Sequence, residues 1–506
     1  MQPDPAKPEP DGRPSVLVIG GGLAGIAAAV TLARHGVAVK LAETSKRLGG
    51  RATSFVDPAT GEILDNCQHV LMGCCTNLRD LYDRLEVAGQ IKWHRNLYFA
   101  GRNRAGRMVI DRLEAGALPA PLHLAVSLLR FVTLCAAEKM AIARGMLAMI
   151  RSSASQRSAW HQLTFAKWLD EHRQPPGAVS KFWFPVIVSA LNEQPDRVAA
   201  DYAVKVFYSG FLPHEKAWQV GLPTVPLLRL YDAAAAVITA TGGQVLLSTG
   251  AQELLFDANR ICGLKTSAGR RLEADAYLSA VPFDRLARLC GPPMRRADAR
   301  LSALDRLKTS PILGIHLWFA LADSRPLMRL PHLVLTESRL QWLFNKGIET
   351  ATGAGQPDPP AAPGSAPAGK GQVQHLHGVI SAAHDLVQWP ADRIAAMAAD
   401  EVARFLPAAG ALRLVNWRVI KEKRATFSAA PGVDRWRPPA RGPIGNLYLA
   451  GDWCSSGWPA TMEGAVRSGY QAAESLLTDW GRPDRAVVAD LPPRPLFSLL
   501  ASRPGR

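Results

Sequence analysis

Two stretches near opposite ends of the chain carry residues whose types and spacing suit phosphate binding and redox chemistry. The first is Gly20-Gly21-Gly22-Leu23-Ala24-Gly25, and the second is Leu447-Tyr448-Leu449-Ala450-Gly451-Asp452. Glycines spaced G-x-G-x-x-G permit a tight turn, close approach of the backbone to a pyrophosphate, and close packing of helix on strand. The N–H groups that open the following helix, Leu23 and Ala24 among them, add a partial positive charge that favours phosphate. Glu43 ends the next apolar run. A carboxylate there suits the two hydroxyls of an adenosine ribose and would repel a 2′-phosphate. Arg47, Gly49, Gly50 and Arg51 follow, and bring backbone N–H groups and guanidinium charge to the same phosphates or to a flat redox ring. A distant strand-to-helix turn that returns to finish the site points to FAD as the dinucleotide.

These residues need particular elements to hold them. Val16 to Ile19 reads as a parallel strand buried on both faces, and Ile26 to Arg34 as the helix behind it. Val37 to Ala42 is the second strand. Between Gly243 and Pro282, three apolar runs separated by turns (to Phe256, from Ile261, from Leu272) predict a set of three short strands. A helix from Thr461 carries Gly464, Ala465, Ser468 and Gly469 on one smooth side, against which a flat cofactor can lie.

Gly20 to Gly25, Glu43, Arg47 to Arg51 and the Gly451-Asp452 turn resemble the flavin-dependent amine oxidase and phytoene desaturase superfamily. Three further stretches narrow the likeness: Asp65-Asn66-Cys67-Gln68-His69, Gln341-Trp342-Leu343-Phe344-Asn345-Lys346 and Gly457-Trp458-Pro459-Ala460-Thr461-Met462-Glu463-Gly464-Ala465. Together they are similar to the squalene-associated desaturase-like proteins, the hydroxysqualene dehydroxylases of bacterial hopanoid synthesis. The resemblance runs from about Ser15 to about Leu477, with one departure: Cys67 stands where that family has glycine.

The resemblance implies an α/β fold, with a Rossmann-like FAD-binding domain of the glutathione-reductase type interleaved with an α+β substrate domain. The expected boundaries are 14–75, 216–290 and 444–480 for the first, and 76–215 and 291–443 for the second. It places Ala251 near the adenine, Asp452 on the ribityl chain or pyrophosphate, and Met462 and Ala465 against the flavin. Gln68, Trp342, Phe344 and Trp458 become candidates for the substrate pocket, and the aromatic three are equally good as core. His69 is a candidate proton donor or a structural histidine bonded to backbone. Asp65 would orient His69 or cap a turn. Glu463 would be catalytic or would complement the helix dipole. The implied reaction moves a hydride between the flavin and a carbon held about 3.5 Å away, with a C30 isoprenoid as the lipophilic substrate and an external electron donor as partner. A phytoene-type desaturase uses the same parts with the hydride running the other way.

Composition agrees with an ordinary globular chain: 506 residues, 48% hydrophobic and 20% charged. Seven cysteines show no metal-binding spacing, so no metal site is expected, and their pattern suits a reducing cytoplasm. The formal charge of +16 comes from scattered arginines with no basic stripe interleaved with aromatics; no nucleic acid is expected. Attraction to anionic lipid of the inner membrane leaflet accounts for that charge, as does a genome rich in G and C. Leu118 to Ile150 is the most apolar region, broken by Arg130, Glu138, Lys139 and Arg144 before it reaches a membrane-spanning length. Leu122 to Cys135 reads as a buried helix of the substrate domain, or as one that dips into a bilayer surface or lines a greasy tunnel. The Pro-rich start (1–13), the Ala-Pro-Gly-rich stretch 351–372 and the end (481–506) are expected to be a disordered leader, a flexible insertion and a frayed tail.

Overall fold

The computed structural model describes residues 12–58, 60–322, 325–350 and 372–501. A five-stranded sheet has the order Gln244–Leu246, Ala38–Ala42, Ser15–Ile19, Ala276–Ser279, Leu447–Leu449, all parallel. Its central strand shows why the sequence reads as an unbroken apolar run. Val16 and Val18 join the core under the helix Leu23–Arg34, while Leu17 and Ile19 join a second core on the opposite face. Both faces of a parallel strand are covered, so both side-chain sets must be apolar.

Close approach of backbones positions the helices. A Cβ on Gly25 would sit 1.9 Å from the Gly20 carbonyl oxygen, so only glycine lets the helix start against the strand end. A Cβ on Gly469 would lie 2.3 Å from the carbonyl oxygen of Ala24. The helix Met462–Asp479 therefore packs directly on Leu23–Arg34. Gly469 serves that contact rather than a smooth face for the cofactor, which corrects the sequence expectation for this residue. Ser468 is likewise committed, its Oγ accepting the N–H of Gly451 at 2.7 Å.

The segment 243–282 is divided between two sheets, not one. Ala251–Asp257, Arg260–Thr266 and Arg271–Leu272 form an antiparallel three-stranded sheet. The flanking strands Gln244–Leu246 and Ala276–Ser279 belong to the parallel sheet. Local pattern marks each run as extended, but pairing partners are a tertiary choice.

A seven-stranded sheet carries the other half of the molecule. Its order is Leu414–Phe427, Thr309–Ala320, Gln372–Ser381, Trp342–Thr350, His332–Leu335, Asn96–Arg102, Met108–Glu114, antiparallel except where His332–Leu335 meets Asn96–Arg102. Alternation decides its faces. Leu313, Ile315, Leu317 and Phe319 pack toward the helix Ala391–Phe405. The other face presents Ile312, Gly314, His316 and Trp318 to the loop at 65–69. A Cβ on Gly314 would lie 2.7 Å from the Asn66 carbonyl oxygen, so this glycine lets the loop rest on the sheet. Helices Ala136–Arg151, Phe165–Glu171, Phe184–Leu191 and Ala200–Gly210 close the remaining side around Trp168, Trp183 and Phe207.

Two expectations change. The run from Leu122 is not one helix: a 3₁₀ turn, Leu122–Leu124, leads into Ala125–Arg130, and the next helix starts at Ala136 behind a Cys135–Glu138 capping box. The tail is docked from 481 to 501. Phe497 is buried with its ring 5.1 Å from that of Tyr208, Arg494 pairs with Glu215, and Asn77 makes two hydrogen bonds to the Val488 backbone. The leader over 1–11, the insertion over 351–371 and the last residues 502–506 lie outside the described residues.

Gly469→Ala is expected to cost about 1–3 kcal/mol of stability through overpacking, read as a lowered unfolding midpoint. Gly89→Ala, which meets nothing within 4 Å, should stay within about 0.5 kcal/mol. Acid should also destabilise the fold. His123 and His332 are buried, with ring nitrogens lacking hydrogen-bond partners, and burial lowers each pKa to about 4. The unfolded chain protonates these imidazoles from about pH 6.5 downward while the folded chain resists until about 4. Stability is therefore present above 6.5 and falls as pH drops through that window, by up to about 1.4 kcal/mol per pH unit per histidine. Urea midpoints between pH 7 and 5 test this, and His332→Phe should flatten the slope.

Candidate active site

One cavity of about 1070 Å³ is lined by residues from both ends of the chain and from the seven-stranded sheet. Gly20, Gly22, Leu23, Ala24, Glu43, Arg47, Gly49, Gly50 and Arg51 contribute from the first end. Ala251 contributes from the small sheet, and Gly451, Asp452, Met462 and Ala465 from the last. Gln68, His69, Trp342, Phe344 and Trp458 stand on the same wall system. Gly25 is absent from the lining because it is spent on helix–strand packing.

The glycine turns make a cradle with room for phosphate. Gly49 donates its N–H to the Gly21 carbonyl at 2.8 Å, and a Cβ on Gly50 would reach within 2.9 Å of the Gly22 Cα. The two backbones thus meet with no side chain between them. Glu43 is oriented by two backbone donors, Gly21 N–H to Oε2 and Ser45 N–H to Oε1, each at 2.7 Å. Each oxygen keeps a lone pair for a ribose hydroxyl. The helix Met462–Asp479, capped by Thr461 accepting the Gly464 N–H at 3.1 Å, aims its positive end into the cavity. These are the features a bound FAD requires. Gly20, Gly22, Leu23, Ala24 and Glu43 would hold its phosphates and ribose, and the turn at Gly451 with the helix at Met462 and Ala465 would face its ring.

Arg51 and Asp452 meet each other. The guanidinium donates to Asp452 Oδ1 at 2.6 Å and to the Ala425 carbonyl at 2.7 Å. Burial opposes the Arg51 charge, and the Asp452 carboxylate outweighs that, so the guanidinium is held charged. The pair joins residues 401 apart in sequence and ties both halves of the cradle together. Arg437, not foreseen from sequence, pins the loop that follows by donating to the Asp452, Cys454 and Trp458 carbonyls. A lone arginine in a polar stretch gives no signal of that role.

Of the three candidates for proton chemistry, two are structural. Asp65 is absent from the cavity lining. Its Oδ1 accepts from Ser54 Oγ at 2.7 Å and from the Leu227 N–H at 3.0 Å, which caps the helix Leu227–Ala240. Lys346 lies 3.4 Å from its other oxygen. Glu463 is wholly buried and accepts four hydrogen bonds: two from Asn77, one from the Leu78 N–H and one from Arg467 at 2.7 Å. It caps the helix Thr76–Arg84 and neutralises Arg467. Glu463 borders the cavity, and the donors gathered on both carboxylates favour the capping alternative for each.

His69 does reach the cavity, in a different protonation state from the one expected. Its Nδ1 lies 3.0 Å from the Cys67 carbonyl, an acceptor, so Nδ1 carries the proton. Burial lowers its pKa below the usual value, which leaves Nε2 bare at neutral pH. The neutral imidazole donates at Nδ1 and can accept at Nε2. Cys67 packs against Phe344 and Val379, and burial pushes its thiol up to about 12, so it is a neutral filler where the resembling family has glycine. Trp342 and Phe344 stack 5.3 Å apart at 3° between ring planes, and the Trp342 indole donates to Ser189 Oγ at 2.6 Å. The Gln68 carbonyl oxygen lies 3.3 Å from Lys346 Nζ.

Lys205, Glu422, Arg285 and Arg288 are ionisable cavity residues that the sequence did not single out, and Lys205 stands beside the candidate pocket residue Trp458. It projects from Ala200–Gly210, with its ammonium 5.3 Å from the Trp458 ring centroid. Burial lowers its pKa. A single cation among Ala203, Val204, Val206 and Phe207 was the available signal.

Glu43→Ala should weaken FAD binding about tenfold or more, the loss of one charge-assisted hydrogen-bonded group; flavin fluorescence titration reads it, and unchanged affinity would contradict the ribose role. Glu463→Ala should cost about 3–5 kcal/mol of stability, because the buried Asn77 and Leu78 donors lose their acceptor and Arg467 keeps only Asp490. A variant with normal stability and lost turnover would restore the catalytic reading.

Residues 23–477 match the flavin containing amine oxidoreductase family. A 15-cis-phytoene desaturase of Synechococcus elongatus is 28% identical over 477 residues, covering 91% of this chain and 95% of that protein. A hydroxysqualene dehydroxylase of Rhodopseudomonas palustris is also 28% identical, over 481 residues, covering 92% and 98%. The fold is shared with a solved putrescine oxidase, at TM-score 0.66 and 16% identity over 92% of this chain and 99% of that one. The chain therefore belongs to the flavin-containing amine oxidoreductases and is an FAD-dependent oxidoreductase.

Proposed function

We propose that this protein reductively dehydroxylates a C30 isoprenoid alcohol, converting hydroxysqualene to squalene and water. The observation that carries the reading is convergence. The three stretches that resemble hydroxysqualene dehydroxylases, at Gln68-His69, Trp342 to Phe344 and Trp458 to Ala465, all line one cavity. The full-length similarity to the Rhodopseudomonas enzyme supports it. The reaction consumes two electrons and two protons: a C–O bond is replaced by C–H, and hydroxide leaves as water. An electron donor is therefore a required partner.

FAD, when bound, supplies the hydride chemistry; the chain supplies the rest. Leu97, Phe99, Ile312 and Val379 make apolar wall that excludes water from a greasy substrate. The stacked Trp342 and Phe344, held by Ser189, offer π-density to positive charge developing at the carbon that loses oxygen. Hydroxide departure needs a proton. His69 holds none to give at Nε2, whereas Lys205 carries one with a lowered pKa that eases its release. Lys205 is thus the proton donor in this reading.

A second reading, phytoene-type desaturation, is favoured by one observation: the bare Nε2 of His69 suits a base that takes the proton lost with a hydride. The phytoene desaturase of Synechococcus is as similar as the dehydroxylase. Anaerobic reduction of the purified holoprotein followed by hydroxysqualene separates the two. Stoichiometric return of oxidised flavin with squalene formed is the expected result. No reoxidation, with bleaching of oxidised enzyme by phytoene, would establish the desaturase instead. Lys205→Met should retain FAD and slow squalene formation about a hundredfold, with His69→Gln much less affected; the opposite ranking would reverse the proton assignment.

A further inference from the structure

We infer that the surface built from residues 102–144 seats this protein on an anionic lipid bilayer. Among the described residues twelve large apolar side chains are exposed, and seven of them are Ile110, Leu118, Leu122, Val126, Leu129, Val132 and Met140. Leu129, Met140 and Val132 are 68%, 59% and 53% exposed. A hydrophobic patch of this kind on a globular surface marks an interaction site.

Hydrogen bonds bring the segments that carry six of them, from Leu118 to Met140, together. Leu122, Val126 and Leu129 follow one another at helical spacing along the turns Leu122–Leu124 and Ala125–Arg130. Leu118 is held beside them, because the Gly116 N–H reaches the His123 carbonyl and the Leu122 N–H reaches the Pro119 carbonyl. Val132 is anchored through its N–H to the buried Asp111 at 2.8 Å, and Ile110 points to the opposite side of that strand. Lys139, next to Met140, donates to the Leu129 carbonyl at 2.7 Å.

Charge selects the partner. The segment holds seven basic side chains (Arg102, Arg104, Arg107, Arg112, Arg130, Lys139 and Arg144) against three carboxylates. All three carboxylates are already engaged: Asp111 with Val132 and Thr133, Glu114 with Arg112, and Glu138 with the Cys135 N–H. A second copy seated isologously would bring the same unmatched cations against them. A surface of anionic phospholipid answers both features, apolar side chains entering the acyl boundary and arginines meeting phosphates. No helix among the described residues is long and apolar enough to cross a membrane, so the protein would lie on the bilayer. The placement also suits a greasy substrate. Phe131, beside Val132, packs its ring 5.5 Å from Phe99, and Phe99 lines the cavity. One side-chain layer separates the lipid-facing surface from the active site.

Flotation of the full-length holoprotein with phosphatidylcholine vesicles, with and without phosphatidylglycerol, tests this without substrate, so it stands or falls separately from the dehydroxylase reading. The expected result is binding to phosphatidylglycerol vesicles that weakens with salt. The combined Leu129→Glu, Val132→Glu and Met140→Glu variant should lose on the order of a hundredfold in partitioning with its FAD content unchanged. Leu129→Gln alone should lose about tenfold and guards against misfolding of the triple variant. Arg130→Glu with Arg144→Glu should bind about tenfold less and lose most salt sensitivity. Wild-type protein that ignores the vesicles, or a triple variant that floats equally well, would overturn the proposal. So would a wild-type oligomer that the triple variant converts to monomer without any vesicle binding, which would reassign the face to a second copy.

Discussion

The site depends on how closely the helix Leu23–Arg34 lies against Met462–Asp479. The Ala24 carbonyl occupies space where any side chain on residue 469 would stand. Because the backbones touch, the positive ends of both helices open into one cavity, and the parallel strands that feed them, Ser15–Ile19 and Leu447–Leu449, flank Ala276–Ser279 in the same sheet. Two dipole ends converging on one space favour a doubly charged pyrophosphate and an electron-rich ring far more than either end alone. The Arg51–Asp452 pair and the three carbonyls held by Arg437 then keep the closing loop against the first.

Acidic residues near the cavity go into holding this arrangement. Glu463 and Asp65 are each committed to helix starts, Thr76–Arg84 and Leu227–Ala240, where otherwise unpaired N–H groups would be buried. Four donors on the Glu463 carboxylate favour its charged form, which makes it a poor acid. Two other ionisable side chains of the cavity, Lys205 and His69, differ by environment: an ammonium over Trp458, and an imidazole whose one proton is given to the Cys67 carbonyl. Burial disfavours the charged form of each.

The seven-stranded sheet supplies shape. Its strand alternation sends one set of side chains into a closed apolar core and the other toward the flavin half, where Gly314 lets the 65–69 loop sit on the sheet. His316 donates upward to the Asp65 carbonyl at 3.0 Å and contacts His375 at 2.9 Å. These imidazoles are kept neutral by burial, so they add no charge beneath the loop.

The sequence by itself determined the cradle. Gly20 to Gly25, Glu43, Gly49 to Arg51 and Gly451-Asp452 are legible because local geometry restricts them: a tight turn, a strand end and a helix start each admit few residue types. The apolar run at Val16 to Ile19 was legible for the same reason, since burial on both faces leaves no polar position. Tertiary structure alone decided what depends on partners from elsewhere in the chain. It assigned Gly469 to a helix contact, Glu463 and Asp65 to caps, the tail at Phe497 to the surface beside Tyr208, and Lys205 to the cavity. A carboxylate has the same local signature whether it faces substrate or the N–H groups of a helix start several hundred residues away. Only the packed chain determines which donors reach it first.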